Sequence, residues 1–432
     1  MRLQGRTGVR ERNRILIAMS VAMALGYMPW YNFSAVLKYI SDEFHLTSSD
    51  TGLILSAFQA GYVLVVVCSG WLADRISLKK ILFFATLSTG ISSTLFVWCA
   101  HGKYSILVFR MITGISAGAI YIPGLALLAR WFPSNRRGTA MGFYNAALVM
   151  AYAGGYLVAS HLSVSQGWRT GVFWTSLPAI AAAFVIHFFV RDLTLEQAAP
   201  NRYDPSLFKD VTQEDLVAPK GGYAGPALIS SAYMGHLWEL YAFWGWIGPF
   251  VVSSILSNGK PVEQAVEWGG AITAAIILLG VPSCWLWGIV ADKKGRTFAI
   301  IVAGVCSVFG EVLIGWFFGR SLALVVLVGG WIGFWAIADG TVYKAGLVEM
   351  VAPRLHGFSL GIQSALGFSM TIISPAVFGI LLEWYNGPVD PSKAVVWMPA
   401  FLILVLGGLF SPLSAGLLRR IPQAKLMCGG KM

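Results

Sequence analysis

Twelve apolar runs, each about as long as a bilayer crossing, decide what this chain can fold into. They fall at residues 15–37, 51–73, 80–100, 104–129, 138–161, 169–190, 225–256, 268–291, 297–318, 321–347, 357–384 and 394–418. A hydrocarbon core about 30 Å thick is crossed by about 20 mainly apolar residues in helical conformation. Within it the backbone must hydrogen-bond to itself, which leaves helices or closed barrels, and runs this continuous are too long for barrel strands. The expected fold is an all-α membrane protein of twelve transmembrane helices, with the lipid bilayer as its solvent. Composition agrees where the argument needs it: 56% of the 432 residues are hydrophobic and 12% charged, about half the charge of a soluble protein. That excludes a cytosolic enzyme, a disordered scaffold and a nucleic-acid-binding domain.

Charge sets the orientation. With both termini on one side, 23 of the 31 lysines and arginines fall in segments on that side and 6 in the opposite loops. The remaining two, Arg110 and Lys344, lie inside runs. Such a bias marks the terminus-bearing side as cytoplasmic, so the chain is expected in the inner or plasma membrane with both ends inside. The basic stretch before Ile15, followed by no convincing cleavage site, reads as a cytoplasmic tail ahead of an uncleaved first helix. The five cysteines share no short spacing that points to zinc or to a disulfide framework, and no metal or other cofactor is expected. The polar stretch 191–224 separates six runs from six. It divides the chain into a bundle over 1–190, a cytoplasmic linker, and a second bundle over 225–432.

The two halves carry matching punctuation. Gly70-Trp71-Leu72-Ala73-Asp74-Arg75, with Lys79-Lys80, follows the second run, and Gly288-Ile289-Val290-Ala291-Asp292-Lys293-Lys294-Gly295-Arg296 follows the eighth, 218 residues later. Gly138-Thr139-Ala140-Met141-Gly142 opens the fifth run and Gly357-Phe358-Ser359-Leu360-Gly361 the eleventh, 219 residues later. Two matches at nearly one offset indicate a tandem repeat. Six crossings return the chain to the same side, so the halves are related by a parallel pseudo-two-fold.

In these motifs the chain resembles the major facilitator superfamily of secondary transporters, along essentially its whole length. The family's loop signature, G-x-x-x-D-[RK]-x-G-[RK]-[RK], keeps Gly288, Asp292, Gly295 and Arg296 in the second copy. The first copy keeps Gly70, Asp74, Arg75, Lys79 and Lys80 but has Ser77 and Leu78 in place of Gly-Arg. Arg110, Gly114 and Gly118, four residues apart in the fourth run, look like the family's second signature. The resemblance implies that Asp74 faces the start of the eleventh helix near Gly357, and Asp292 the start of the fifth near Gly138. A carboxylate at a helix N-terminus gains about 0.3–1 kcal/mol, enough to latch the cytoplasmic ends of the two bundles until they rock. The alternative is ordinary loop charge that sets topology.

The resemblance also implies that the first, fourth, seventh and tenth helices surround a central pathway. Their polar residues supply the candidates. The tenth run places Trp331, Trp335, Asp339 and Tyr343 at successive i+4 steps, and the seventh places His236, Glu239, Phe243 and Trp246 along one face. The first contributes Tyr27, Trp30, Tyr31 and Asn32, and the fourth aligns Arg110, Gly114, Gly118 and Tyr121. Asn145 and Gln59 are further candidates. An ionisable group within hydrocarbon costs about 2.5–3.5 kcal/mol on insertion scales, so mid-helix Glu239 must face protein or water. It reads, with His236 one turn away, as a proton-coupling or substrate-contact pair, or else as a fixed structural pair. Arg110 suits anion attraction or coupling, or snorkelling towards the outer face; Gly114 and Gly118 suit close helix packing. Lys344 is read as snorkelling and offsetting Asp339, while Glu311 and Gln363 are left as structural.

The expected function is secondary active transport of a small solute, an organic or inorganic anion, by alternating access with proton-coupled uptake, in a monomer. The fifth run lacks the Gly-Pro signature of the family's drug exporters, reading Asn145 to Gly155 without proline. The arginines that the nitrate branch carries in its second and eighth helices are also absent from 51–73 and 268–287. No phosphate-binding GxxxxGK[ST] loop occurs, so direct ATP drive is not expected. Efflux or a metal or cation carrier of the same fold, a membrane-embedded enzyme, and a non-transporting sensor or assembly factor are the alternatives.

Overall fold

A computed structural model describes residues 2–73, 76–132, 134–192, 222–351 and 355–431. Each apolar run becomes helical. In chain order the segments are α1 (2–44), α2 (Ser48–Ala73), α3 (Leu78–Cys99), α4 (Lys103–Trp131), α5 (Ser134–Gln166) and α6 (Trp168–Phe189). They continue with α7 (Ala224–Ser257), α8 (Val262–Lys294), α9 (Arg296–Phe317), α10 (322–350), α11 (His356–Asn386) and α12 (Met398–Leu418). Among the described residues ten of these, all but α1 and α10, are long and apolar enough to cross a membrane. The eighth crossing begins earlier than the sequence reading had it, at Val262 rather than 268.

The first six segments pack on one another, chiefly α3 on α6, α2 on α4 and α1 on α6, and the last six likewise, chiefly α7 and α9 on α12 and α7 on α11. Residues 193–221, where the linker is expected, lie outside the described residues. Contact between the halves runs mainly through α2 with α11 and α5 with α8.

Four segments break near their middles, α8 at the single residue Leu279. α1 leaves helical geometry at 27–31, α4 at 118–120 and α10 at 336–341. A break frees carbonyls, and in a water-poor interior each must find a donor. Arg110 of α4 donates to the carbonyls of Pro29 (3.0 Å) and Trp30 (2.7 Å). Tyr27 of α1 returns a bond to Ala117 (3.1 Å), and Tyr144 of α5 donates to Ile120 (3.2 Å). In the second half α8 does the same for α10, through Ser283 to Phe334 (2.5 Å) and Cys284 to Ile337 (3.5 Å). The α10 break also corrects one expectation: Trp331, Trp335, Asp339 and Tyr343 do not form one continuous helical stripe, because the helix stops between Trp335 and Val342.

The halves are shut at one end and, among the described residues, parted at the other. At the shut end Ser48 donates its N–H to Val389 (3.0 Å) and Ser49 to Glu383 (2.8 Å), while His161 meets Glu267 at 3.0 Å. A Cβ on Gly52 would lie 2.7 Å from the Pro375 carbonyl oxygen. At the end bearing the chain termini, Gly142 of α5, Gly288 of α8 and Gly361 of α11 have no atom of the described residues within 4 Å of the same position.

Candidate functional site

The breaks in α1, α4 and α10 bring irregular backbone and aromatic side chains to the boundary between the halves. Trp30 sits 4.7 Å from Phe58 and 5.3 Å from Tyr152, ring centre to ring centre, and crosses to Tyr241 of the second half at 6.0 Å. Tyr31 and Tyr152 reach Trp244 at 6.3 and 5.2 Å, and Tyr62 reaches Phe368 at 5.4 Å. The layer is buried. Tyr156 seals it towards the shut end, donating its hydroxyl to the Trp244 carbonyl at 2.8 Å.

Towards the parted end lies Lys344. Its ammonium stands 5.5 Å from the Tyr121 ring of the first half and 5.9 Å from the Tyr233 ring of the second. It forms no ion pair among the described residues. Asp339, the partner expected for it, is taken instead by His236, Nδ1 to Oδ1 at 2.9 Å, and accepts the Tyr343 hydroxyl at 2.5 Å. Asp339 sits in the α10 break, which swings its carboxylate onto α7 and leaves the ammonium on the boundary.

His236 and Glu239 line one space but bond to different helices. The two residues share α7, but His236 turns to α10, whereas Glu239 accepts a hydrogen bond from Ser307 of α9. Glu311, also on α9, is fully buried with neither carboxyl oxygen bonded. Glu239 and Glu311 approach Gly408 of α12 together, their Oε2 atoms 2.9 and 3.4 Å from where its Cβ would stand. Ser411 of α12 completes the cluster at 2.5 Å from the Tyr343 hydroxyl. The space among His236, Glu239, Ser307, Asp339 and Tyr343 admits no water. Three carboxyls thus share a dry interior with one imidazole, an arrangement that suits proton exchange better than fixed charge.

The remaining candidates are placed as follows. Tyr27 and Arg110 serve the α1 and α4 breaks, with the guanidinium also 4.4 Å over the Phe58 ring. Tyr121 donates to Asn145 at 2.9 Å beside the boundary, and Tyr31 lies within the aromatic layer. Gln59 accepts from Thr371 of the other half at 3.4 Å. Trp335 packs edge-on against Trp287 at 4.7 Å. Gly114 seats α4 directly on α2, since a Cβ there would lie 2.0 Å from the Phe58 carbonyl oxygen.

Of the repeated loop motif, Asp74 and Arg75 lie outside the described residues, as do the surroundings of Gly70 and Gly138. Gly295 turns α8 into α9 at φ +107°, a conformation that favours glycine. Arg296 binds Asp292 at 2.5 Å and Glu349 at 2.9 Å. Asp292 therefore pairs within its own half, with its side chain two-thirds exposed (67%). The surroundings of the start of α5 near Gly138, against which Asp292 is expected, lie outside the described residues.

Lys344, Glu311, Tyr152, Tyr241 and Trp244 were not selected from the sequence. Tyr152 follows Asn145 by seven residues, two helical turns on the same face, and that spacing was the available signal.

The helical architecture has counterparts among known proteins. Residues 19–346 match the Major Facilitator Superfamily. The chain belongs to this superfamily. As a member it is a multi-pass membrane transporter with a small-molecule substrate, and its relatives are transporters rather than enzymes. It is 22% identical to the "Probable sulfoacetate transporter SauU" of Cupriavidus necator, over 93% of this chain and 95% of that one. It is also 22% identical to the hexuronate transporter of Bacillus subtilis, over 87% and 89%. Among solved structures, the D-xylose–proton symporter superposes with a TM-score of 0.74 at 16% identity, covering 96% of this chain and 98% of the other. That likeness, at such identity, is one of fold.

Proposed function

We propose that this superfamily member imports a small organic anion together with protons, by rocking its two halves about the aromatic layer. The observation that carries the reading is the unpaired Lys344 ammonium at the boundary, held between a ring of each half. A cation so placed has no carboxylate partner among the described residues until an anion arrives. Tyr233 links it to the titratable cluster, lying 5.9 Å from Lys344 and stacked at 6.1 Å on His236. Anion occupancy and proton occupancy of His236–Asp339 then influence one another over two side chains. The names of the relatives, for sulfoacetate and hexuronate, favour an organic acid. The unbroken α5 helix, without the exporters' proline, favours uptake. In this reading the parted end is cytoplasmic, the termini lie inside, the protein sits in the cell membrane as a monomer, and the Asp74 and Asp292 motifs re-engage when that end closes.

The test is counterflow of a labelled organic acid in proteoliposomes, followed by uptake under an imposed proton gradient. Wild type is expected to do both. Asp339→Asn is expected to keep counterflow, which needs no net proton movement, and to lose gradient-driven accumulation. Absence of counterflow with every acid refutes anion transport, and accumulation by Asp339→Asn equal to wild type refutes coupling at this cluster.

A further inference from the structure

The aromatic layer carries polar atoms that its packing leaves idle. The Trp30 indole N–H, the Tyr31 hydroxyl and the Tyr152 hydroxyl are buried and have no hydrogen-bond partner. Tyr31 neighbours Trp30 and Tyr152 neighbours Tyr241 closely enough to interact, yet neither pair closes a bond. Buried donors left unbonded call for an explanation, and donors converging in pairs suit a carboxylate, whose two oxygens accept several bonds. The rings around them come from both halves, at 5.2–6.3 Å across the boundary, so they separate when the halves move. What replaces those ring contacts must offer a flat face.

The Asn145 and Gln59 side-chain carbonyls are already engaged, accepting from Tyr121 and Thr371. The ring faces of the layer offer a row of hydroxyls no strong hydrogen bond. Resting on the anion-carrier reading above, we infer that the substrate is a small carboxylate with a flat, unsaturated or aromatic body rather than a polyhydroxy acid. Its body stacks among Trp30, Tyr152 and Trp244, and its negative charge is drawn by Lys344 and met by the tyrosine hydroxyls.

The test is binding to the purified protein of three monocarboxylates, benzoate, cyclohexanecarboxylate and gluconate, read by quenching of tryptophan fluorescence and by thermal shift. Stacking against aromatic rings predicts that benzoate binds about 2- to 12-fold tighter than cyclohexanecarboxylate. Unsatisfied hydroxyls predict that gluconate binds about tenfold more weakly still. Tyr152→Phe, which keeps the ring, is expected to weaken both cyclic acids by the same factor, whereas Tyr152→Leu is expected to erase the difference between them. Equal affinity for benzoate and cyclohexanecarboxylate, or tightest binding of gluconate, overturns the flat-acid inference while leaving the anion carrier standing. Binding of none of the three by folded protein, with no counterflow of any acid, overturns both.

Discussion

Closing of the halves at the shut end depends on a glycine contact that is open to direct perturbation. A Cβ on Gly270 of α8 would lie 1.8 Å from Ser160 Oγ, 2.3 Å from Ser160 Cβ and 3.2 Å from the Tyr156 carbonyl oxygen. Ser160 is fully buried and its hydroxyl is tied to Tyr156 at 2.7 Å, so turning that hydroxyl aside leaves the Cβ–Cβ clash in place. Gly270→Ala therefore pushes α5 from α8. Overpacking of this kind costs about 1–3 kcal/mol, and the clash exists only while this end is shut. The whole penalty falls on one state, shifting the balance about 5- to 150-fold towards the state parted there. The assay is the rate of maleimide labelling of a cysteine at Gly361, where no atom of the described residues lies within 4 Å at the other end, in a background with the five native cysteines replaced. Gly270→Ala is expected to slow that labelling, and Ser160→Gly added to it to restore the rate. Unchanged labelling in folded Gly270→Ala protein refutes the reasoning.

Other substitutions follow from the same geometry. Arg110→Met leaves two buried carbonyls unbonded, at about 1–3 kcal/mol each; a clear fall in melting temperature is expected, with Arg110→Lys recovering only part of it, and unaltered melting contradicts the role assigned at the α1 break. Glu311→Met removes a buried carboxyl that bonds to nothing, so melting temperature is expected to hold or rise, and a marked fall shows that Glu311 is a structural acceptor. At the shut end, Arg169 and the Trp168 indole hold the Glu43 carboxyl below its ordinary value of 4.5. A depressed carboxylate stabilises above that value and loses its contribution as pH falls through the lower folded value. Because the pair is partly exposed the effect is below about 1 kcal/mol. Glu43→Gln is thus expected to melt slightly below wild type at pH 7, with the gap closing as pH falls below the ordinary value of 4.5 and through the lower folded one; a gap that widens on acidification contradicts the assignment.

How much of this was legible in the sequence depends on whether one helix or several had to be known. Each apolar run became helical, because hydropathy over 20 residues is a property of one segment. The Gly288–Arg296 motif likewise identified a turn that Gly295 then makes. Helical spacing alone misread α10, since it assumes an unbroken 3.6-residue period and passes over Asp339-Gly340, a turn-forming dipeptide inside the break. His236 was paired with Glu239 because both lie on α7, but α10 and α9 supply their partners. Lys344 appeared spoken for by Asp339 for the same reason. The aromatic layer was half visible: Tyr27, Trp30 and Tyr31 cluster in sequence, while Tyr152, Tyr241 and Trp244 join them only when the halves meet.

The central claim is that the two ends open in alternation around one site, and distances between paired spin labels test it most directly. One pair at Gly142 and Gly288 reports on the parted end, and a second at Gln166 and Glu263 reports on the shut end. On adding a transported acid the first distance is expected to shorten and the second to lengthen. Movement of both pairs in the same direction, or of neither while transport proceeds, contradicts the account.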